Sequence, residues 1–156
     1  MAEIVVRAER AMAAPAERVY QCIADYREHH QRFLPPAFSD LRVEEGGVGA
    51  GTVVTFRLAA GGRSREYRSV IAEPEPGRVL TESDPAAGTV TSYRVTPEGG
   101  GSRVRIETRW RMAGARGAIE RLVAPRLLGR LYADELERLD RYAASDAAGE
   151  KVGAAG

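Results

Sequence analysis

This sequence predicts an α+β domain: a curved antiparallel β-sheet wrapped around one long C-terminal helix, with a short helical segment after the first strand. Three observations carry that expectation. From residue 37 the chain breaks into short alternating segments separated by glycine- and proline-rich turns. At Gly114 the apolar period changes from two to about 3.6 residues and holds to the neighbourhood of Ala144. Between the first two strands lies a helical stretch too short to be stable alone in water, so the rest of the fold must hold it.

The elements follow in order. Residues 3–12, EIVVRAERAM, alternate as a strand. Pro15 sits where a first helical turn tolerates it, and AERVYQCIADY puts Val19, Cys22, Ile23 and Tyr26 on one helix face. Cys22 falls inside that stripe and reads as a small buried apolar residue. After Pro35-Pro36 come AFSDLRVEE, the GGVGAG turn, TVVTFRLAA, a GGRS hairpin and REYRSVIAE. EPEPG and DPAAG then bracket RVLTES, TVTSYRVT follows, and PEGGGS leads into RVRIETRWRM. In this last strand Val104, Ile106, Thr108, Trp110 and Met112 face one way and Arg103, Arg105, Glu107, Arg109 and Arg111 the other, as in a sheet with one dry and one wet face. From Gly114, Ile119, Leu122, Val123, Leu127, Leu131, Leu136 and Leu139 recur at helical spacing, with a kink expected at Pro125. Such a sheet needs a cover, and one long helix is available for it. The short helix then closes the end of the groove, held by the sheet's open edge.

At 156 residues, with 44% hydrophobic and 29% charged residues, the chain fits one globular domain at residues 1–144, and SDAAGEKVGAAG, residues 145–156, reads as a disordered tail. A net charge of +1 sets up no general field for nucleic acid or membrane. No apolar run approaches the ~20 residues that span a bilayer, and the charged N-terminus lacks a signal-peptide core. No stable membrane insertion, no nucleic-acid partner and a cytoplasmic location are expected. Oligomeric state stays open.

Strand, Ala-Pro and the helix carrying VYQCIADY, then LPP, GGVGAGT, EPEPGRVL, GGGSRVRIETRW and LYADELERLDRYA together resemble the START-like, pollen-allergen-like superfamily with the helix-grip fold. Within it the nearest branch is similar to bacterial polyketide cyclase/dehydrase-type (SRPBCC) proteins. The resemblance covers residues 3–144 and rests on element order and punctuation, with no catalytic signature. It implies a deep cavity between the concave sheet face and the long helix. Members hold lipids, sterols, aromatic polyketides or plant hormones there; some cyclise or dehydrate the ligand, many only bind it, and some serve larger protein machines.

Strand alternation supplies a lining for such a cavity. Val104, Ile106, Thr108 and Trp110 come from the last strand, Thr91, Tyr93 and Val95 from TVTSYRVT, Tyr67, Ser69 and Ile71 from REYRSVIAE, and Val54, Phe56 and Leu58 from TVVTFRLAA. Leu127 and Leu131 face them from the helix. The set is apolar with several hydroxyls, which suits an amphipathic small molecule. If Met12 points inward, Arg10 does too, and a buried guanidinium needs a carboxylate or an anionic ligand group. His29 and His30 follow the short helix; adjacent side chains diverge, so one is expected to face inward, and His30 precedes Phe33 and Leu34. His30 and Arg10 are therefore the candidate acid–base or enolate-stabilising groups. Glu66 is the strand carboxylate to watch, although its register points outward.

Two further patterns carry no site. GGVGAGT runs into a strand, so no helix N-terminus is there to cradle phosphate. The arginine stripe of RVRIETRWR has the spacing of a wet strand face. No metal centre and no cofactor are expected, because two neighbouring histidines make a poor first ligand set. Three functions remain: a binder of a hydrophobic or aromatic, lipid- or polyketide-like molecule; a polyketide cyclase or dehydratase using His30, Tyr67, Tyr93 or Arg10; and a protein-interaction module with a collapsed cavity. A cavity too small for a ligand, beside an apolar surface patch, would favour the third.

Overall fold

The computed structural model describes residues 2–145, so of the tail expected at 145–156 only Ser145 falls within it. Strand β1 (Ala2–Met12) leads to helix α1 (Ala16–Ala24) and a 3-10 turn at His30–Arg32. Strands β2 (Phe38–Glu45), β3 (Val53–Ala60), β4 (Arg63–Glu75), β5 (Val79–Asp84), β6 (Thr89–Glu98) and β7 (Gly101–Met112) follow, and helix α2 (Gly114–Ala143) ends the fold. The seven strands form one antiparallel sheet in the order β1-β7-β6-β5-β4-β3-β2. Register shifts between Ala72 and Glu75, and twice along β2, bend it. This is the helix-grip α+β architecture.

Alternation decides which side chains meet. Tyr93 pairs with Ile106, Thr91 with Thr108, Phe56 with Tyr67 and Val54 with Ser69, all on the concave face. On the convex face the β7 arginines find carboxylates: Arg103 and Arg105 reach Glu9, Arg109 reaches Glu3 and Glu107, and Arg7 joins Glu107. Exposed to solvent, each such pair adds little stability. Together they explain why the stripe alternates: it is the charged half of a cross-strand lattice.

Helix α2 lies mainly along β1, with α1 and β7 beside it. Its C-terminal half supplies the grip, for Tyr132, Leu136, Leu139 and Ala143 are buried. The N-terminal half departs from the expected stripe. Ile119, Leu122 and Val123 are 60, 67 and 49% exposed, and among the described residues there only Gly117, Ala124 and Leu128 turn inward. The helix runs through Pro125 without a break, and the apolar residues before the proline occupy its outer side.

Helix α1 is held by the glycine turn between β2 and β3, where the sequence suggested the sheet's open edge. Tyr26 N–H donates to the Gly47 carbonyl and Gly49 N–H to the Ala24 carbonyl, each at 2.9 Å. The Tyr20 hydroxyl donates to Glu73 of β4 at 2.7 Å, and the same carboxylate accepts from Ala50 N–H at 2.9 Å. Gly49 has φ +67° and leaves no space for a side chain, since a Cβ there would lie 2.5 Å from Glu73 Oε2. The turn's glycines thus let a carboxylate on β4 tie α1 to the sheet. No helix among the described residues is long and apolar enough to cross a membrane.

Candidate functional site

Inside the grip, an apolar wall of Leu34, Phe38, Leu41, Val54 and Phe56 faces a polar group of Tyr26, His30, Glu82, Tyr93 and Glu135. The cavity between them measures about 20 Å³, room for roughly one water molecule. A larger hollow of about 470 Å³ opens outside the core among Glu3, Gly88, Arg109, Trp110 and Arg111. That hollow is wide and rimmed by the charged face, with no buried polar groups converging on it. The inner cavity is the candidate site.

Its chemistry comes from two carboxyls on different elements, Glu135 buried and Glu82 nearly so, with 11% of its side chain exposed. Glu82 enters from β5 because Leu80, two residues earlier, is fully buried and alternation carries position 82 to the same face. The Tyr26 hydroxyl donates to Glu82 Oε1 at 2.6 Å, and His30 Nε2 stands 3.6 Å from that oxygen. Glu135 comes down from α2, 1% exposed, and accepts from the Tyr93 hydroxyl at 3.3 Å. A hydroxyl chain lies beside it, with Tyr132 to Thr108 and Thr108 to Thr91 both at 2.7 Å.

Burial controls the protonation of these groups. Desolvation disfavours each charged form, pushing Glu82 up to about 7 and Glu135 up to about 8, the latter also through repulsion from Glu82. The same effect pushes His30 down to about 4, so its ring is neutral at physiological pH. His30 Nδ1 lies 2.7 Å from the Ile23 carbonyl, which can only accept, so Nδ1 carries the proton and Nε2 presents a lone pair to Glu82. Tyr26 and Tyr93 are raised well above the ordinary phenol value by burial and remain donors. The arrangement offers a guest two carboxyls that can change protonation near neutrality and an imidazole that can accept a proton.

Of the residues singled out in the sequence, His30, Phe56 and Tyr93 line this cavity. Ile106, Thr108, Ser69 and Ile71 are buried in the surrounding core. Thr91 contributes to the hydroxyl chain, and Tyr67 stacks on Phe56 with ring centroids 5.4 Å apart. Leu131 is half-buried. Trp110 borders the outer hollow and Leu127 is 42% exposed, so neither lines the inner cavity. Arg10 is 43% exposed and bonds Asp140 of α2 at 3.2 Å, next to the Ala13 N–H that the same carboxylate accepts at 3.0 Å. It fastens β1 to α2 on the outside, because the end of the strand turns it to solvent. Both histidines are 2% exposed, against the expectation that only one would be; His29 Nδ1 meets the Tyr142 hydroxyl at 2.6 Å in the joint with α2.

The sequence pattern alone does not single out Glu82 or Glu135, and Glu66, the strand carboxylate it points to, is exposed. A signal for each was present. Glu82 alternates with Leu80, and Glu135 stands four residues after Leu131 and four before Leu139. Among the described residues no group of three or more His, Cys, Asp or Glu is placed to hold a metal ion.

Residues 3–144 match the model of the family described as polyketide cyclase/dehydrase and lipid transport. No curated protein matches the chain. Among solved structures, the solution structure of KanY protein is 29% identical, covering 93% of this chain and 100% of that one, with a TM-score of 0.82. A Thermus thermophilus protein is 22% identical over 89% of this chain and 96% of its own, at a TM-score of 0.73. The Zhui aromatase/cyclase from a Streptomyces species is 20% identical over 90% and 93%, at 0.70, and shares the fold.

Proposed function

The chain belongs to the polyketide cyclase/dehydrase and lipid transport family, and from that premise we propose that it encloses a hydrophobic or aromatic small molecule with one polar end. The guest's apolar body lies against Leu34, Phe38, Val54 and Phe56, and its polar end meets Glu82, Glu135 and His30. The observation that carries this reading is the pair of carboxyls buried in an apolar enclosure. Packing alone gives no use for them, since taking a carboxyl out of water costs free energy that one tyrosine hydroxyl only partly offsets and that an apolar side chain of similar size would not incur.

Closure of the cavity to about 20 Å³ and the apolar patch on α2 are also what a collapsed interaction module would have. The buried carboxyls are not, and they favour a cavity that opens. A second reading, acid–base catalysis on a polyketide-like substrate, draws on Glu82, whose value near 7 stands beside the acceptor nitrogen of His30.

Titration with the neutral apolar fluorophore N-phenyl-1-naphthylamine tests the proposal. Wild-type protein is expected to bind it saturably, and Leu34→Trp, which fills the cavity from a loop, to bind at least about tenfold more weakly with its circular dichroism unchanged, a loss of ~1.4 kcal/mol. Equal affinity in the two proteins would place the probe elsewhere and remove the cavity from the account. Turnover of a linear poly-β-keto analogue that Glu82→Gln abolishes, while probe binding persists, would add catalysis to binding.

A further inference from the structure

Helix α2 shows the solvent a face that none of the described residues covers. Ile119, Leu122 and Val123 lie within one turn of each other and are 60, 67 and 49% exposed. Neither of the two hollows described above includes them. Leu127, 42% exposed, continues the patch to the tip of the β3–β4 hairpin, where its Cδ2 would lie 3.1 Å from a Cβ at Gly61.

Among the described side chains, the charge around this patch is not neutralised. Arg126 follows Ile119 by seven residues and Arg130 follows Val123 by seven, so both share its side of the helix. Arg126 turns one guanidinium nitrogen to the Leu122 carbonyl at 3.0 Å. Among the described residues neither arginine meets a carboxylate, whereas Arg103, Arg105 and Arg109 on the sheet each do. A net charge of +1 therefore hides a local cationic strip flanked by apolar side chains.

We propose that the N-terminal half of α2 docks reversibly on anionic phospholipid bilayers, with Ile119, Leu122 and Val123 entering the acyl boundary and Arg126 and Arg130 reaching lipid phosphates. Long arginine stems let an apolar stem and a charged head occupy the two layers of such an interface. A second copy of the chain is a poor occupant, because it would set Arg126 and Arg130 against their own counterparts. A folded acidic protein would need a groove to receive three protruding side chains, whereas a fluid bilayer takes them without one. The inference is independent of what the cavity holds.

Co-sedimentation of the full chain with vesicles tests it. Phosphatidylcholine vesicles containing about a third phosphatidylserine are expected to bind the protein at least about tenfold more strongly than pure phosphatidylcholine. The double variant Arg126→Glu, Arg130→Glu loses that preference, and Leu122→Asp weakens binding about tenfold. Both keep the wild-type melting temperature, since the altered side chains are exposed. Failure to bind, equal binding to the two vesicles, or undiminished binding by the variants would overturn the proposal. So would a dimer in sedimentation velocity that Leu122→Asp dissociates, or capture by soluble polyglutamate without capture by vesicles.

Discussion

Glu135→Gln is expected to stabilise the protein at pH 8.5 by several kcal/mol, on the order of 3 to 5, and to leave it nearly unchanged at pH 5. The reason is proton linkage. In the unfolded chain a glutamate titrates near 4.5, whereas in the fold Glu135 is held up to about 8 and Glu82 up to about 7. The folded state therefore binds more protons than the unfolded state across that interval. The stability these neutral carboxyls contribute is fully present below pH 4.5 and is lost as pH rises through 7 and 8.

His30 acts in the opposite direction. Its folded value near 4 lies below 6.5, so its contribution is present above 6.5 and lost as pH falls towards 4. Between 4.5 and 6.5 it cancels one of the two carboxyls. The decline should thus be steepest between pH 6.5 and 7, continue to 8, and level off. The amide keeps an acceptor for the Tyr93 hydroxyl and cannot ionise, which removes the largest part of that decline. Melting temperatures from pH 5 to 9 are the measurement, with a gain of about 10 °C for the variant at the alkaline end. Parallel curves for the two proteins would mean that Glu135 is solvated.

Leu139→Ala is expected to cost 2 to 5 kcal/mol, near the upper end (order of magnitude from large-to-small core substitutions). Leu139 is fully buried in the half of α2 that the sheet grips, among Leu136, Ala143 and Tyr132. A seven-stranded sheet tied across every neighbouring pair has little freedom to collapse into the space left behind. Leu122→Ala makes the same chemical change nearly five turns earlier (about 3.6 residues per turn), where the side chain is 67% exposed, and should stay within about 0.5 kcal/mol. Urea midpoints at constant m-value compare the two. Equal costs would show that both halves of α2 pack alike, against the division described here.

Most of the fold could be read because strands and helices announce their period. RVRIETRWRM alternates cleanly, and every expected strand has a counterpart within a few residues. The N-terminal half of α2 departs from its expectation for a reason that lies in the same signal. Ile119, Leu122 and Val123 repeat at helical spacing, but periodicity shows only that they share a face and says nothing about whether that face turns inward. The candidate site was legible in part. Phe56 and Tyr93 followed from alternation, and His30 from its place before Phe33. Glu82 and Glu135 did not, because a charge inside an apolar pattern is ordinarily a sign of the solvent side. Only the register of β5 against β6, with Leu80 opposite Tyr93 and Glu82 opposite Thr91, and the position of Glu135 between Tyr132 and Leu139, place both carboxyls indoors.

The central claim is that Glu82 and Glu135 face an enclosed space, about 20 Å³ as it stands, that opens to admit a guest, rather than bulk water. Carbon-13 NMR titration of glutamate-labelled protein, with Glu82→Gln and Glu135→Gln as assignment controls, addresses it directly. Two carboxyl resonances should titrate near pH 7 and 8, apart from all others, and both should shift when N-phenyl-1-naphthylamine is added. Titration of both near pH 4.5, or resonances indifferent to the probe, would contradict it.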